Sequence, residues 1–122
     1  MAKKQIIETP ECRTFADTMN AEEAKEYNHL LFLLREAGRL ETSLQAAGER
    51  EILCFLHYPP LYQGYRCPEI LDLLQKYRVR LCSYGHLHGP SHRRAIEGWV
   101  SGTEFSMVAA DYLGFVPKKI CD

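Results

Sequence analysis

The sequence predicts an α/β fold, and three features of the chain lead to that prediction. Apolar residues recur near helical spacing over about residues 21–47, which indicates a long amphipathic helix. Residues 52–56 form a continuous apolar run, as expected of a strand that is covered on both faces. A helix over about residues 68–77 and a second strand at 79–82 follow, and strand–helix–strand order implies a parallel pair of strands.

The first half of the chain is predicted to contain an arm and a helix. Residues 1–19 show no periodicity and are predicted to form a loop or a loosely held arm. Asn20 can cap the free backbone N–H groups of the helix, and Glu23 stands three residues later, as in a capping box. Gly48 is a stop signal, so the helical segment is placed at 20–48.

Residues 51–120 are predicted to form a β-α-β unit followed by a β-hairpin. Ser101-Gly102 is a two-residue turn between candidate strands at 95–100 and 103–108. Trp99 is predicted to lie in the core. No repeat or linker divides the sequence, so residues 1–122 are treated as one domain, or as part of one.

Size and charge exclude several classes of protein. The chain has 122 residues, 46% of them hydrophobic and 25% charged, which is typical of a globular domain. The formal net charge of −1 implies no particular affinity for nucleic acid or for anionic membranes. No apolar run approaches the length of about 18 residues that a membrane span needs.

The cysteine pattern predicts a reducing compartment. The number of cysteines is odd and no C-x-x-C pair occurs, which argues against a disulfide framework. We therefore expect a cytoplasmic protein. The five cysteines are Cys12, Cys54, Cys67, Cys82 and Cys121.

Three histidines lie just after the predicted strands. His57 follows the first strand directly, and His86 and His88 follow the second. Because the carboxyl ends of parallel strands open onto one crevice, these side chains are expected to converge there. Neutral imidazole is a common ligand for zinc, iron and manganese. Gly85 and Gly89 are expected to let the backbone bend so that both rings of the His-x-His pair face the crevice.

These motifs resemble those of calcineurin-like metallophosphoesterases. That family has a strand-end histidine, here His57 in Phe-Leu-His-Tyr-Pro-Pro, and then a Gly-His-x-His motif, here Gly-His-Leu-His at 85–88. The resemblance covers roughly residues 20–120, and most firmly 51–115. It implies the C-terminal half of an αββα sandwich and hydrolysis of a phosphomonoester or a phosphodiester.

The resemblance also implies a metal site. In the family two divalent ions, manganese, iron or zinc, clamp a phosphoryl group and activate a water molecule for in-line attack. Carried over to this chain, His57 and His86 would bind one ion and His88 the other. The implied substrate is a phosphorylated compound of unknown identity. His92 and Arg93 are candidates for contact with its phosphate, with a solvated loop as the alternative.

The chain departs from the family pattern in its carboxylates. The motifs Asp-x-His, Gly-Asp-x-x-Asp and Gly-Asn-His-Asp/Glu do not occur, and the only aspartate before His57 is Asp17, in no matching context. Two dications held by neutral histidines alone would repel each other. The chain alone is therefore predicted to be inactive, with a complementing N-terminal half or a homo-oligomer as its expected partner. No role is predicted for Asp111.

Two further functions remain open at this point. The chain can be a non-catalytic metal-binding or interaction domain, kept after loss of the N-terminal half. It can also be an unrelated zinc hydrolase with a three-histidine site. His29, on the long helix among polar neighbours, is predicted to be a surface residue outside any site.

Overall fold

The computed structural model describes residues 20–122. The predicted arm at 1–19, with Cys12 and Asp17, lies outside the described residues. The described residues divide into two compact units, with the boundary between Leu40 and Glu41. All of the candidate site residues belong to the second unit.

The long helix, α1 (Ala21–Ala47), begins and ends as predicted. The backbone N–H of Glu23 donates to Asn20 Oδ1 at 2.8 Å, and the backbone N–H of Asn20 donates to Glu23 Oε1 at 3.1 Å. This reciprocal pair is the predicted capping box. Gly48 follows the helix with a φ of 62°, the left-handed conformation that ends many helices and that glycine adopts without strain.

The remaining elements form a mixed sheet, a short two-stranded ribbon, one α-helix and one 3₁₀ helix. The main sheet has four strands in the order β1-β4-β6-β5, with β1/β4 and β4/β6 parallel and β5/β6 antiparallel. This confirms the α/β class and the parallel pairing of the first two predicted strands. The bounds are β1 (Leu53–Leu56), β2 (Leu61–Tyr62), β3 (Tyr65–Arg66), α2 (Pro68–Lys76), β4 (Leu81–Tyr84), the 3₁₀ helix (Gly89–Arg94), β5 (Gly98–Val100) and β6 (Thr103–Met107).

Strand β4 begins two residues later than the sequence predicted, because the chain is still leaving α2 at 77–79. Arg78 has a φ of 54°, and its backbone N–H donates to the carbonyl of Gln75. The N–H of Val79 donates to the carbonyl of Leu74, and both of these side chains are buried. Together these contacts form a Schellman motif with its hydrophobic contact. The apolar Val79 therefore closes a helix rather than opening a strand.

Two predictions of burial were wrong. Phe55, within the apolar run, is 60% exposed, and Trp99 is 65% exposed. Phe55 lies on a face of the sheet that no described element covers at this position, so the predicted cover on both faces of β1 is not present there. Trp99 pairs with Glu104, which places it on the opposite face of the sheet from the buried Phe105.

Tyr84, the last residue of β4, ties the strand to the segment that precedes β5. Its side chain is fully buried, and burial raises the pKa of its hydroxyl to about 12. The hydroxyl donates to the carbonyl of Ile96 at 2.6 Å and accepts from the N–H of Ile96 at 2.9 Å. Tyr84 therefore anchors the chain immediately before the loop that carries His86 and His88.

We expect Tyr84→Phe to lower the free energy of unfolding by about 1–3 kcal/mol, because two backbone groups of Ile96 lose a partner in a partly buried place. Urea unfolding of the purified protein measures this effect. Tyr58→Phe is the matched control, since Tyr58 is 61% exposed, and it should change stability by less than about 0.5 kcal/mol. Equal stability of the two variants would show that the Ile96 contacts contribute nothing.

Candidate metal centre

The candidate site lies where three parallel strands end. His57 follows β1, the segment Gly85-His86-Leu87-His88 follows β4, and Asp111 comes four residues after Met107, the end of β6. Parallel strands present their carboxyl ends to the same edge of a sheet, where ligands commonly bind. The ladders continue past the strands, since the N–H of Gly85 donates to the carbonyl of His57 at 3.1 Å.

His57 and His86 meet at this edge. The distance from His57 Nε2 to His86 Nδ1 is 3.3 Å, and the ring centroids are 5.2 Å apart. The rings of both histidines also contact Tyr58, with centroids 4.8 Å from His57 and 4.5 Å from His86. All three side chains are exposed.

The spacing of these two nitrogens suits a shared metal ion. Two imidazole nitrogens bound to one tetrahedral zinc at about 2.0–2.1 Å lie about 3.3–3.4 Å apart. The observed separation of 3.3 Å matches that value. It also allows one ring to donate an N–H to the other, and a metal ion would replace this proton.

The bend in the histidine loop differs from the one expected. Gly85 does not have a positive φ; the left-handed residues are His86, with a φ of 69°, and Gly89, with a φ of 56°. The N–H of Leu87 donates to the carbonyl of Gly85 at 2.8 Å, which closes a γ-turn around His86. A γ-turn with positive φ is the rarer, strained form, and such strain costs about 1–3 kcal/mol and is common at functional sites.

Leu87 separates the two histidines of the motif. It is 8% exposed, whereas His86 and His88 on either side of it are exposed. The apolar side chain thus fixes the loop to the core and leaves both imidazoles on the outside. A sequence of polar, apolar and polar residues explains why the two rings face outward from so short a loop.

His88 is held by a carboxylate that the sequence did not assign to the site. His88 Nδ1 lies 2.8 Å from Asp111 Oδ1, and the backbone N–H of Gly89 donates to Asp111 Oδ2 at 3.1 Å. The hydrogen bonds from His88 and then from Gly89 hold the pKa of the Asp111 carboxyl well below its usual range. Asp111 is therefore an ionised acceptor beside the histidine loop.

His92 lies on the other side of Asp111. Its Nε2 is 3.1 Å from Asp111 Oδ2, the distance of an ion pair, yet this buried atom has no aligned hydrogen-bond partner within residues 20–122. The ring contacts Tyr112 edge to face, with centroids 5.1 Å apart. One ligand atom from each of His88, His92 and Asp111 lies within 4.8 Å of the others, so this group is a second place where a metal ion can be considered.

The predicted site residues therefore fall into two neighbouring groups. The structure brings His57 to His86, and it brings His88 to Asp111 and His92. The predicted contact of His92 and Arg93 with a substrate phosphate stays a prediction: His92 turns Nε2 towards Asp111, and Arg93 is exposed in the 3₁₀ helix.

The role of Asp111 was missed because its position depends on the third parallel strand. The sequence shows β5 and β6 as a hairpin, but it does not show that β6 pairs with β4 in parallel. That pairing brings the segment after β6 to the same edge as the histidines. An aspartate shortly after a strand was the only signal in the sequence, and it pointed to no particular partner.

Two further features of residues 20–122 are the state of the cysteines and the character of the helices. Cys54, Cys67 and Cys82 are buried free thiols, and Cys121 is an exposed free thiol. None of the helices within residues 20–122 has the length and apolar character that a membrane span requires.

Comparisons of the chain with protein-family models, with curated proteins and with solved structures found no match.

Proposed function

We propose that the chain binds a divalent metal ion through His57, His86 and His88. The observation that carries the proposal is the separation of 3.3 Å between His57 Nε2 and His86 Nδ1 beyond two neighbouring parallel strands. Zinc, manganese and iron are the candidate ions, because imidazole binds each of them. His88, one residue beyond Leu87 on the same exposed loop, is the proposed third ligand of that ion in the isolated chain, and in a complete two-metal site it would serve a second, adjacent ion.

We further propose that this metal site belongs to a phosphoesterase of the calcineurin-like type, of which the chain is the C-terminal part. The support is the resemblance of the two histidine motifs, together with the placement of His57 and His86 at one sheet edge. In such a site the ions hold a phosphorylated substrate and activate water. The substrate itself is proposed only as a phosphomonoester or a phosphodiester.

The proposed sandwich needs a second sheet on one face of the sheet described above. The register places Phe55 and Trp99 on the same face, at the two outer strands β1 and β5, and both are largely exposed. Large apolar side chains on one face of a sheet are the surface that a second sheet would cover. An N-terminal half would supply that sheet and also the metal-binding carboxylates, and its source can be a second chain or the rest of a longer protein.

A second candidate function is metal binding without catalysis. It is favoured by one observation: in the described group of His88, His92 and Asp111 there is a single carboxylate, and it already accepts hydrogen bonds. A site of this composition can hold one ion but compensates little of the charge of two. For either function we propose a reducing cytoplasm as the compartment, in keeping with the free thiols of the described chain.

Calorimetric titration with zinc tests the proposal of metal binding. We expect binding near neutral pH that weakens by about tenfold for each ligating histidine between about pH 7.5 and about pH 5.5. An ordinary imidazole takes up a proton near pH 6.5, and a protonated imidazole cannot bind a metal. Lowering the pH therefore removes affinity, and raising it restores affinity.

A matched control separates the site from adventitious binding by other histidines. His29 lies exposed on α1, so His29→Ala should bind zinc as tightly as the native chain and with the same pH profile. Zinc binding that is independent of pH across this range would contradict histidine ligation.

A further inference from the structure

We propose that Asp111 is a positioning residue that orients His88 for metal binding. It accepts the Nδ1–H of His88 and so leaves Nε2 as the unprotonated nitrogen that can bind a metal ion. The proposal rests on the metal-binding function proposed above, and it names the residue that prepares one of its ligands. No part of the sequence pattern assigned this role to Asp111.

The identity of the donor in this contact supports the role of Asp111. An ionised carboxylate can only accept hydrogen bonds, so a contact of 2.8 Å between Asp111 Oδ1 and His88 Nδ1 requires the proton to be on Nδ1. In the neutral ring the lone pair is then on Nε2. Metal-bound histidines almost always donate their other N–H to a carboxylate, a carbonyl or water, which fixes the tautomer and the ring orientation.

Asp111 is itself held in place. Its second oxygen, Oδ2, accepts the backbone N–H of Gly89 at 3.1 Å, directly after His88 in the chain. The carboxylate therefore links the ring of His88 to the backbone of its own loop. Gly89 has a φ of 56°, a conformation that glycine adopts without strain.

Distances decide between this role and direct ligation by the group of His88, His92 and Asp111. Ligand atoms on a tetrahedral zinc with bonds of about 2.0–2.1 Å are separated by about 3.3–3.4 Å. The nitrogens of His57 and His86 are 3.3 Å apart, whereas His88 Nδ1 and Asp111 Oδ1 are 2.8 Å apart. The first spacing suits two ligands of one ion, and the second is shorter and is that of a charge-assisted hydrogen bond.

The tautomer of His88 in the metal-free native protein is the first measurement. Long-range ¹H–¹⁵N NMR distinguishes a ring protonated at Nδ1 from one protonated at Nε2. We expect His88 to carry its proton on Nδ1 at about pH 7.5. A ring protonated mainly at Nε2 would overturn the proposal, whatever the protein does with metals, and this measurement needs no variant that has to fold.

Asp111→Asn is the second measurement. An asparagine has one acceptor oxygen, so it cannot accept both from His88 and from Gly89 as the two carboxylate oxygens do. We expect zinc affinity to fall by about 10–100-fold, the usual cost of losing an outer partner of a metal ligand. The Nδ1–H tautomer of His88 should lose population in the same variant.

His92→Ala is the control that separates positioning from direct ligation. His92 lies against Asp111 but is not part of the proposed ligand set. We expect it to change zinc affinity by less than about threefold, well below the 10–100-fold typical of a supporting partner. If His92→Ala and Asp111→Asn lose affinity equally, or if zinc displaces the proton on His88 Nδ1, the ion lies among these three residues and the positioning role is wrong.

The failure of this proposal can be told apart from failure of the metal-binding function. If the native chain binds zinc and Asp111→Asn binds it equally well, the positioning role is wrong and metal binding stands. If the native chain binds no zinc at all, the metal-binding function is wrong and the positioning role ends with it.

Discussion

Replacing His57 by alanine is expected to weaken zinc binding more than about hundredfold. The change removes one of two nitrogens that lie 3.3 Å apart and leaves His86 without the partner that shares its ion. Loss of a direct ligand should cost more than the 10–100-fold typical of outer partners. Competition against a chromogenic chelator at about pH 7.5 measures the affinity of the native chain and of the variant side by side.

The same experiment contains its controls. His86→Ala should produce a loss similar to that of His57→Ala, because the two nitrogens are proposed to hold one ion. His29→Ala should have no effect, since that residue lies on the exposed surface of α1. If the zinc affinity of His57→Ala stays within a factor of about three of the native value, His57 is not a metal ligand. Even the loss of an outer partner of a ligand typically costs about 10–100-fold.

The isolated chain is expected to hydrolyse an aryl phosphodiester no faster than a blank that contains the metal alone. Two-metal catalysis needs carboxylates that hold the ions and a bridging ligand that fixes their separation. The described site offers Asp111, which is occupied by His88 and by Gly89. Because complete enzymes commonly accelerate their reactions by at least about 10⁶-fold, the difference between an active and an inactive chain is easy to measure.

The assay uses the purified 122-residue chain with zinc or manganese and bis-p-nitrophenyl phosphate. Metal-dependent hydrolysis that disappears in His88→Ala would contradict the prediction and show that the chain completes its own site. Hydrolysis that persists in His88→Ala would instead indicate a contaminant. Activity that appears only after addition of an N-terminal half would support the proposed complementation.

Much of the fold could be predicted because local signals were strong and consistent. Asn20 and Glu23 define the start of α1 by a capping box, and Ser101-Gly102 defines a hairpin turn. The strand–helix–strand order was sufficient to predict a parallel pair, and the register of β1 with β4 confirms it. These features depend on short-range chemistry, which a sequence records directly.

The errors concern properties that depend on distant residues. Phe55 and Trp99 are apolar, but their exposure depends on what covers that face of the sheet, and no local pattern encodes it. The late start of β4 depends on a left-handed Arg78, a residue type that gives no warning of this conformation. Apolar character thus predicted the existence of strands better than it predicted their burial or their first residue.

The candidate site shows the same division. His57, His86 and His88 could be proposed from the sequence because strand ends and glycines mark them. Asp111 could not be assigned from the sequence, because its approach to His88 requires β6 to pair in parallel with β4. The two hydrogen-bonded residues, His88 and Asp111, are 23 residues apart in the chain. A carboxylate that supports a ligand leaves no motif of its own, since its partner is chosen by the topology of the sheet.

Anomalous diffraction at the zinc edge from crystals of the zinc-loaded chain is the most direct test of the metal site. We expect a peak about 2.0–2.1 Å from both His57 Nε2 and His86 Nδ1, the bond length of zinc to imidazole. A peak bound instead by His88 Nδ1, His92 and Asp111, with none at His57 and His86, would contradict it.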